Sequence, residues 1–410
     1  MKNFKEYIVE AKNTHLEHLE DGIFNMGVNG TRDAINYLRA LRDMLAGNSN
    51  QSKVVTVKFD GAPAIFAGID PEDGKFFVAK KGIFNKNAKV YKTPQDIDAD
   101  TTGDLAYKLK VALEEFKKLG IKSGVIQGDI MFTHDTLKQQ DINGERYVTF
   151  HPNTILYAVP IKDPLAKVMM KANIGVVWHT VYTGSSFETM SASFGKPIVN
   201  KLHNVQSVWM DDATYKDVSG VATFNKQETA EITAILSQAG SLFTKINGRA
   251  MDAISKDEDF LMLLKTYNNS KVRAGEEITD TQAHVTGLFH FIYDRFQKEA
   301  ESKKTDKGKQ AQTEKRDRIL GWFKSYDKSE LVKMYDLANL LVKAKHMLIG
   351  KMNKASSLST FLKTKNGFKV TDQEGYVAID HITGDAVKLV NRMEFSMANF
   401  SPDIIKGWSK

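Results

Sequence analysis

The chain has 410 residues, a net charge of +7 and no cysteine, which excludes disulfides, thiolate metal sites and cysteine nucleophiles. Its apolar content of 42% and charged content of 26% are those of an ordinary soluble globular protein, and the length suits two domains, or one domain with a large insertion. A pI near 9.0 fits a polyanionic partner. No apolar run is long enough to span a membrane and no apolar leader is found, so a cytoplasmic, intracellular protein without a membrane partner is expected.

Residues 1 to about 50 read as helical. Phe4, Tyr7, Ile8 and Ala11 recur at helical spacing. After a turn at Gly27 and Gly30, Thr31 caps a second helix with the stripe Ala34, Ile35, Leu38, Leu41 and Leu45, which Gly47 stops. Between the two lies His15-Leu16-Glu17-His18-Leu19-Glu20-Asp21. Two histidines three apart with an acid could ligate a metal, but no further ligand is implied, and the stretch reads as a solvated helix end of mixed charge.

From Lys53 to about Tyr182 the pattern is of strands. The run VVTVKFDGAPAIFAG, from Val54 to Gly68, alternates, breaks at a turn and resumes. At its centre, Lys58-Phe59-Asp60-Gly61 sets a lysine at a strand end with an acid two residues on and a glycine next. That arrangement suits a covalent nucleophile in a partly dry pocket, or a plain surface-turn lysine. The strand Lys75-Phe76-Phe77-Val78-Ala79 ends at Lys80-Lys81-Gly82, and a helix over roughly 105–119 carries Leu109, Ala112, Leu113 and Phe116 on one face. Next, Gln127-Gly128-Asp129-Ile130-Met131 puts an acid in an apolar strand. A buried, unpaired carboxylate is costly, so Asp129 requires a cation, either a side chain such as Lys58 or a metal.

From about 185 to 368 the signal is mostly helical, with apolar residues three and four apart over 228–239, 285–296 and 331–349. The stretch from Lys298 to Arg318 holds seven further cations between Lys303 and Arg318 inclusive and almost no apolar residue. It reads as a loop or solvated helix, either contacting phosphates or merely solubilising. Strands return at Phe368-Lys369-Val370, Glu374-Gly375-Tyr376-Val377-Ala378-Ile379 and Ala386-Val387-Lys388-Leu389-Val390. The simplest topology is one α+β domain interrupted by an inserted helical one.

Taken in order, Lys58-x-Asp60-Gly61, Lys81-Gly82, Gly128-Asp129, Glu374-Gly375-Tyr376-Val377 and Lys388 resemble the motifs of the covalent nucleotidyltransferases, the ATP-dependent polynucleotide ligases and mRNA capping guanylyltransferases. Within that family the sequence looks most like phage-type RNA ligases, through Lys81 and the run EGYVAI. The resemblance implies an adenylation domain of antiparallel sheets with flanking helices over 51–184 and 366–410, a helical segment over 1–50, and a basic, all-α insertion over 185–365. It implies lysyl-AMP formation on Lys58, with Asp60, Gly61, Lys81, Lys388 and a stacking aromatic, Trp178, on the ATP. Glu374, with Asp129, would hold Mg2+ or Mn2+. The nucleotide would then pass to a 5′-phosphate end and be sealed to a 3′-hydroxyl, on RNA in preference to DNA. Three departures stand out: Asp129 replaces a usual glutamate, Val390 stands where a second motif lysine is usual, with Arg392 beyond it, and Pro63 replaces an arginine. A DNA ligase, a capping-type enzyme, or a nucleic-acid-binding or virion-associated protein that keeps the fold without turnover are the alternatives. For attack on phosphorus Lys58 needs a lowered pKa, which a metal and Lys81 or Lys388 nearby would provide.

Overall fold

The computed structural model describes residues 17–47, 53–85, 87–215, 222–355, 358–380 and 386–408. The expected first helix at Phe4, Tyr7, Ile8 and Ala11, together with His15, lies outside them.

β-Branched and aromatic runs punctuated by turns form fourteen strands among the described residues. They are β1 (Lys53–Lys58), β2 (Ala64–Ile69), β3 (Phe76–Ala79), β4 (Val125–Thr133), β5 (Lys138–Ile142), β6 (Glu145–Phe150), β7 (Ile155–Pro160), β8 (Ile174–Thr183), β9 (Ser191–Phe194), β10 (Val208–Asp212), β11 (Ser359–Thr364), β12 (Gly367–Val370), β13 (Gly375–Asp380) and β14 (Ala386–Leu389). Three sheets result: β1-β13-β14, then β10-β8-β4-β2-β3 with β9 also on β8, and β12-β11-β7-β6-β5. Every pairing is antiparallel except β10 with β8.

The Gly103–Phe116 helix covers one face of the largest sheet. Its stripe of Leu109, Ala112, Leu113 and Phe116 is buried against Ile65, Ala67, Val78, Ile126, Ile130 and Trp178. Each large side chain there stabilises the packing by about 1.5–3 kcal/mol. A second core is helical. The helices Gly27–Leu45, Lys226–Phe243, Glu258–Ala274, Thr281–Glu301 and Lys328–Met352 bury Leu38, Leu236, Leu263, Leu288 and Leu341 together. This core also takes Val55, Tyr376, Ala378 and Leu389, so the helices close one face of the β1-β13-β14 sheet.

The chain is thus a mixture of antiparallel sheet and a helical region. Two expectations need correction. The segment 185–365 is not all-α, because β9, β10 and β11 lie in it; they are short and are held by pairing to β8 and β7, outside the segment, which local periodicity does not register. The second helix starts at Gly27 rather than after Thr31, whose hydroxyl donates back to the Gly27 carbonyl at 2.9 Å from inside the first turn. No described helix is long and apolar enough to cross a membrane.

Candidate active site

Lys58 ends β1 opposite Gly375, the first residue of β13. Glu374 immediately precedes that strand, and its Oε1 accepts from the Lys58 ammonium in a close ion pair. Gly375 is required there: its φ is +147°, and a Cβ would lie 2.5 Å from the Leu389 carbonyl of β14. Thr56, Val377 and Lys388 form one row across the three strands. With a period of two, Lys58 and Lys388 share that row's face, opposite the one sealed by the helices.

Asp60 fixes the chain as it leaves Lys58. Its carboxylate accepts from Asn153 Nδ2 and the Thr154 amide, both at 2.6 Å, and from the Ile155 amide at 2.7 Å. Its own amide donates to the Tyr157 hydroxyl at 2.7 Å. Burial raises the Asp60 pKa in spite of these bonds. Both oxygens are engaged by the protein, so Asp60 holds the turn that follows Lys58. Gly61 is needed for close approach: a Cβ would stand 2.5 Å from Asp129 Cβ and 3.1 Å from the Ile130 carbonyl.

Asp129, on β4, pairs with Ala64 of β2 and Val177 of β8. The cation expected beside it is not in contact, because Lys58 pairs with Glu374 instead. Its neighbour is His179, with Nε2 3.7 Å from Asp129 Oδ2. Burial pushes Asp129 up to about 7, with Lys58 opposing the rise. Burial also pushes Glu374 up to about 7, again against Lys58. His179 falls to about 4 through burial and the Lys58 charge, and is neutral. For Lys58 itself burial acts downward, but the Glu374, Asp129 and Asp60 carboxylates outweigh it and hold the amine above its usual value. This reverses the lowered pKa expected of it: in the free chain Glu374 keeps the amine protonated. Lys388 is shifted down by burial and by Lys58, and it forms no ion pair among the described residues.

Lys81 is exposed and begins the short turn Lys81–Phe84 after β3. The β2–β3 register brings it out near the end of β2 where Ala64 stands opposite Asp129. Its neighbour Lys80 is tied to Asp100 at 2.8 Å.

Trp178 is a correction. It pairs with Gly128 while Asp129 pairs with Val177, so strand alternation turns it to the other face. There it is fully buried, with its ring 5.1 Å from Phe116 under the Gly103–Phe116 helix, closed to any stacking ligand. His179, one residue on, is the side chain that reaches the Asp129 side. Counting by two from Val177 would have found it.

Of the two readings of 298–318, loop or solvated helix, the structure has the helix. The stretch is the end of the Thr281–Glu301 helix, a short connection, and most of the Asp306–Ser325 helix. Lys315 and Arg318 both bind Asp259, at 2.8 and 2.6 Å, and Arg316 binds Asp317 at 2.8 Å and lies over the Tyr293 ring. Part of its charge is therefore neutralised within the protein, leaving Lys303, Lys304 and Lys307 exposed. Nor is the segment around His18 a solvated helix end. Glu20 is buried with Lys345, whose Nζ donates to both carboxylate oxygens at 2.8 Å, and burial takes His18 down to about 3. Arg392, considered as a second motif cation, binds Asp21 at 3.0 Å and Asn269 at 2.7 Å.

Among the described residues no three His, Asp or Glu side chains form a self-sufficient metal cluster. Two carboxylates with raised pKa, the buried Glu374 and the half-buried Asp129, nonetheless fit a magnesium or manganese ion that takes its other ligands from water and phosphate oxygens.

No curated protein and no solved structure matches the chain. The model of a family of unknown function, DUF6267, matches residues 13–403. The chain, matched over nearly its whole length, belongs to that family.

Proposed function

We propose that the chain is an ATP-dependent nucleotidyltransferase of the polynucleotide-ligase kind, built on the adenylation fold and acting on nucleic-acid ends, RNA in preference to DNA. One observation carries the reading. Lys58 and Glu374, 316 positions apart, meet in one ion pair, beside Asp129 and on the sheet face of Lys388. Residues singled out one by one by the ligase resemblance thus occupy one site.

In the first step Lys58 Nζ bonds to the α-phosphorus of ATP, the bond from that phosphorus to the bridging oxygen breaks, and pyrophosphate leaves with the electron pair. Lys58 must first give up a proton, and Glu374, already hydrogen-bonded to it, is the nearest acceptor. Lys388, half-buried and in no ion pair among the described residues, would meet the charge that grows on the phosphate. A divalent ion bound by Glu374 and Asp129 would supply further neutralisation of phosphate charge. Asp60 and Gly61 hold the turn that aims Lys58. Transfer of the nucleotide to a 5′-phosphate and sealing by a 3′-hydroxyl follow from the resemblance.

The Lys58–Glu374 pair also favours a second reading, a nucleic-acid-binding or virion-associated protein without turnover, since a protonated lysine is no nucleophile. Incubation with magnesium and either ATP or GTP labelled at the α-phosphate, followed by denaturation, separates them. Label from ATP that disappears in Lys58→Ala is expected. Label from GTP alone would make it a capping-type enzyme. No label from either, in protein free of pre-attached nucleotide, would leave the binding protein.

A further inference from the structure

Lys388 has a second neighbourhood. Its backbone amide donates to the Glu17 carbonyl at 3.0 Å, so the segment starting at Glu17 runs along the outer edge of β14. The Glu258–Ala274 helix faces that segment, and a cleft of about 230 Å³ between them reaches Lys388. Clefts for drug-sized ligands run to roughly 300–1,000 Å³, so this one suits a group of a few heavy atoms.

Its lining is rich in donors. Three cations, Lys265, Lys388 and Arg392, stand against two carboxylates, Glu17 and Asp21. Asp21 is already bound by Arg392, and Glu17 is exposed at the rim, 3.4 Å from Lys265. Asn268 Oδ1 accepts from His284 Nε2 at 3.0 Å and the Tyr335 hydroxyl at 2.8 Å, which leaves its amide nitrogen as the available donor. Asn269 gives its oxygen to Arg392 in the same way. His18 Nδ1, from a cleft-lining residue, is buried with no hydrogen-bond partner among the described residues. Buried polar atoms left like this are costly unless water or a ligand meets them.

We propose that this cleft binds a phosphate group other than the one Lys58 attacks, donated either by the terminal phosphate of a nucleic-acid strand or by pyrophosphate. The choice of those two sources rests on the ligase reading; phosphate binding itself rests on the cleft. Charge-assisted bonds from Lys388, Lys265 and Arg392, with the two asparagine amides, supply the recognition.

The test uses the full chain without ATP. Fluorescence anisotropy compares one short single-stranded RNA carrying a 5′-phosphate or a 5′-hydroxyl, and calorimetry measures inorganic pyrophosphate, in the wild type and in Lys265→Glu. Lys265 is a rim residue, and a thermal melt checks that the variant folds; should it not, Asn269→Asp carries the same criterion. A wild-type preference of about fivefold or more for the 5′-phosphate, lost in the variant, would make the strand end the occupant. Pyrophosphate affinity reduced about fivefold or more, with no end preference, would make the leaving group the occupant. Unchanged affinities for both ligands, or neither effect in the wild type, would overturn the proposal. The labelling assay reads Lys58 alone. Absent label with a lost end preference would remove the enzyme and keep the cleft, and label with unchanged affinities would do the reverse.

Discussion

Lys58 and Glu374 set each other's protonation. Glu374→Gln removes the largest of the carboxylate effects that hold the amine charged, leaving Asp129 and Asp60, while burial and Lys388 act downward on it. An amine-acylating reagent should therefore half-modify Lys58 at a pH lower by about 1–3 in the variant, read by peptide mass spectrometry across a pH series. An unshifted profile would mean that the ion pair does not control the amine. On the proposed ligase reading the same variant should give no adenylate, because it also loses one of the two acids assigned there to the divalent ion. Lys58 and Glu374 were legible in the sequence as separate motif residues. Their contact was not, since pairing across the β1–β13 ladder depends on strands far apart in the chain.

At the scale of elements, alternation decides which side chains face the site. β8 shows it: Trp178 goes to the core and His179 to Asp129. The helix Thr281–Glu301 shows the same logic in its own core. His284 is stacked 4.5 Å from Tyr267, and burial, with Lys271 adding, lowers its pKa from 6.5 to about 4. Between those two values the unfolded chain binds the proton and the folded chain does not, so this histidine makes stability fall as pH drops below 6.5. His284→Gln keeps a polar partner for Asn268 but cannot titrate. Its destabilisation relative to wild type should shrink by up to about 2 kcal/mol from pH 7 to pH 5, measured by urea unfolding. A constant difference would show that His284 takes no part in the linkage.

On the scale of the whole molecule, the helical region is joined to the site from behind. It seals one face of the β1-β13-β14 sheet, and the buried pair Glu20–Lys345 ties the segment beside β14 to the Lys328–Met352 helix. Lys345 is 1% exposed, so Lys345→Met alone strands a buried carboxylate and should cost about 3–5 kcal/mol. Adding Glu20→Met should recover most of that loss in chemical denaturation, because an apolar pair replaces the ion pair without leaving a charge behind. A double variant no better than the single one would mean that the pair's hydrogen bonding, rather than its charge balance, holds the segment.

Local patterning was enough to determine the longer helices and most of the strands, though not β9, β10 and β11. Helical stripes such as Leu331, Met334, Leu337, Leu341, Ala344 and Leu348 appear where the spacing set them, in the Lys328–Met352 helix, because burial of one face every 3.6 residues is a property of neighbours in the chain. Lys58 and Asp129 were legible from their strand context, a lysine at a strand end and an acid within an apolar strand, whereas Glu374 and Lys388 were singled out by the ligase resemblance. Tertiary structure alone decided what they do to one another. It paired Lys58 with Glu374 rather than Asp129, turned Asp60 inward onto Asn153, Thr154 and Ile155, buried Trp178, and brought Glu17 and Lys265 to the cleft beside Lys388. Each of these outcomes depends on ladder register or on packing between distant segments, and no window of sequence contains both partners.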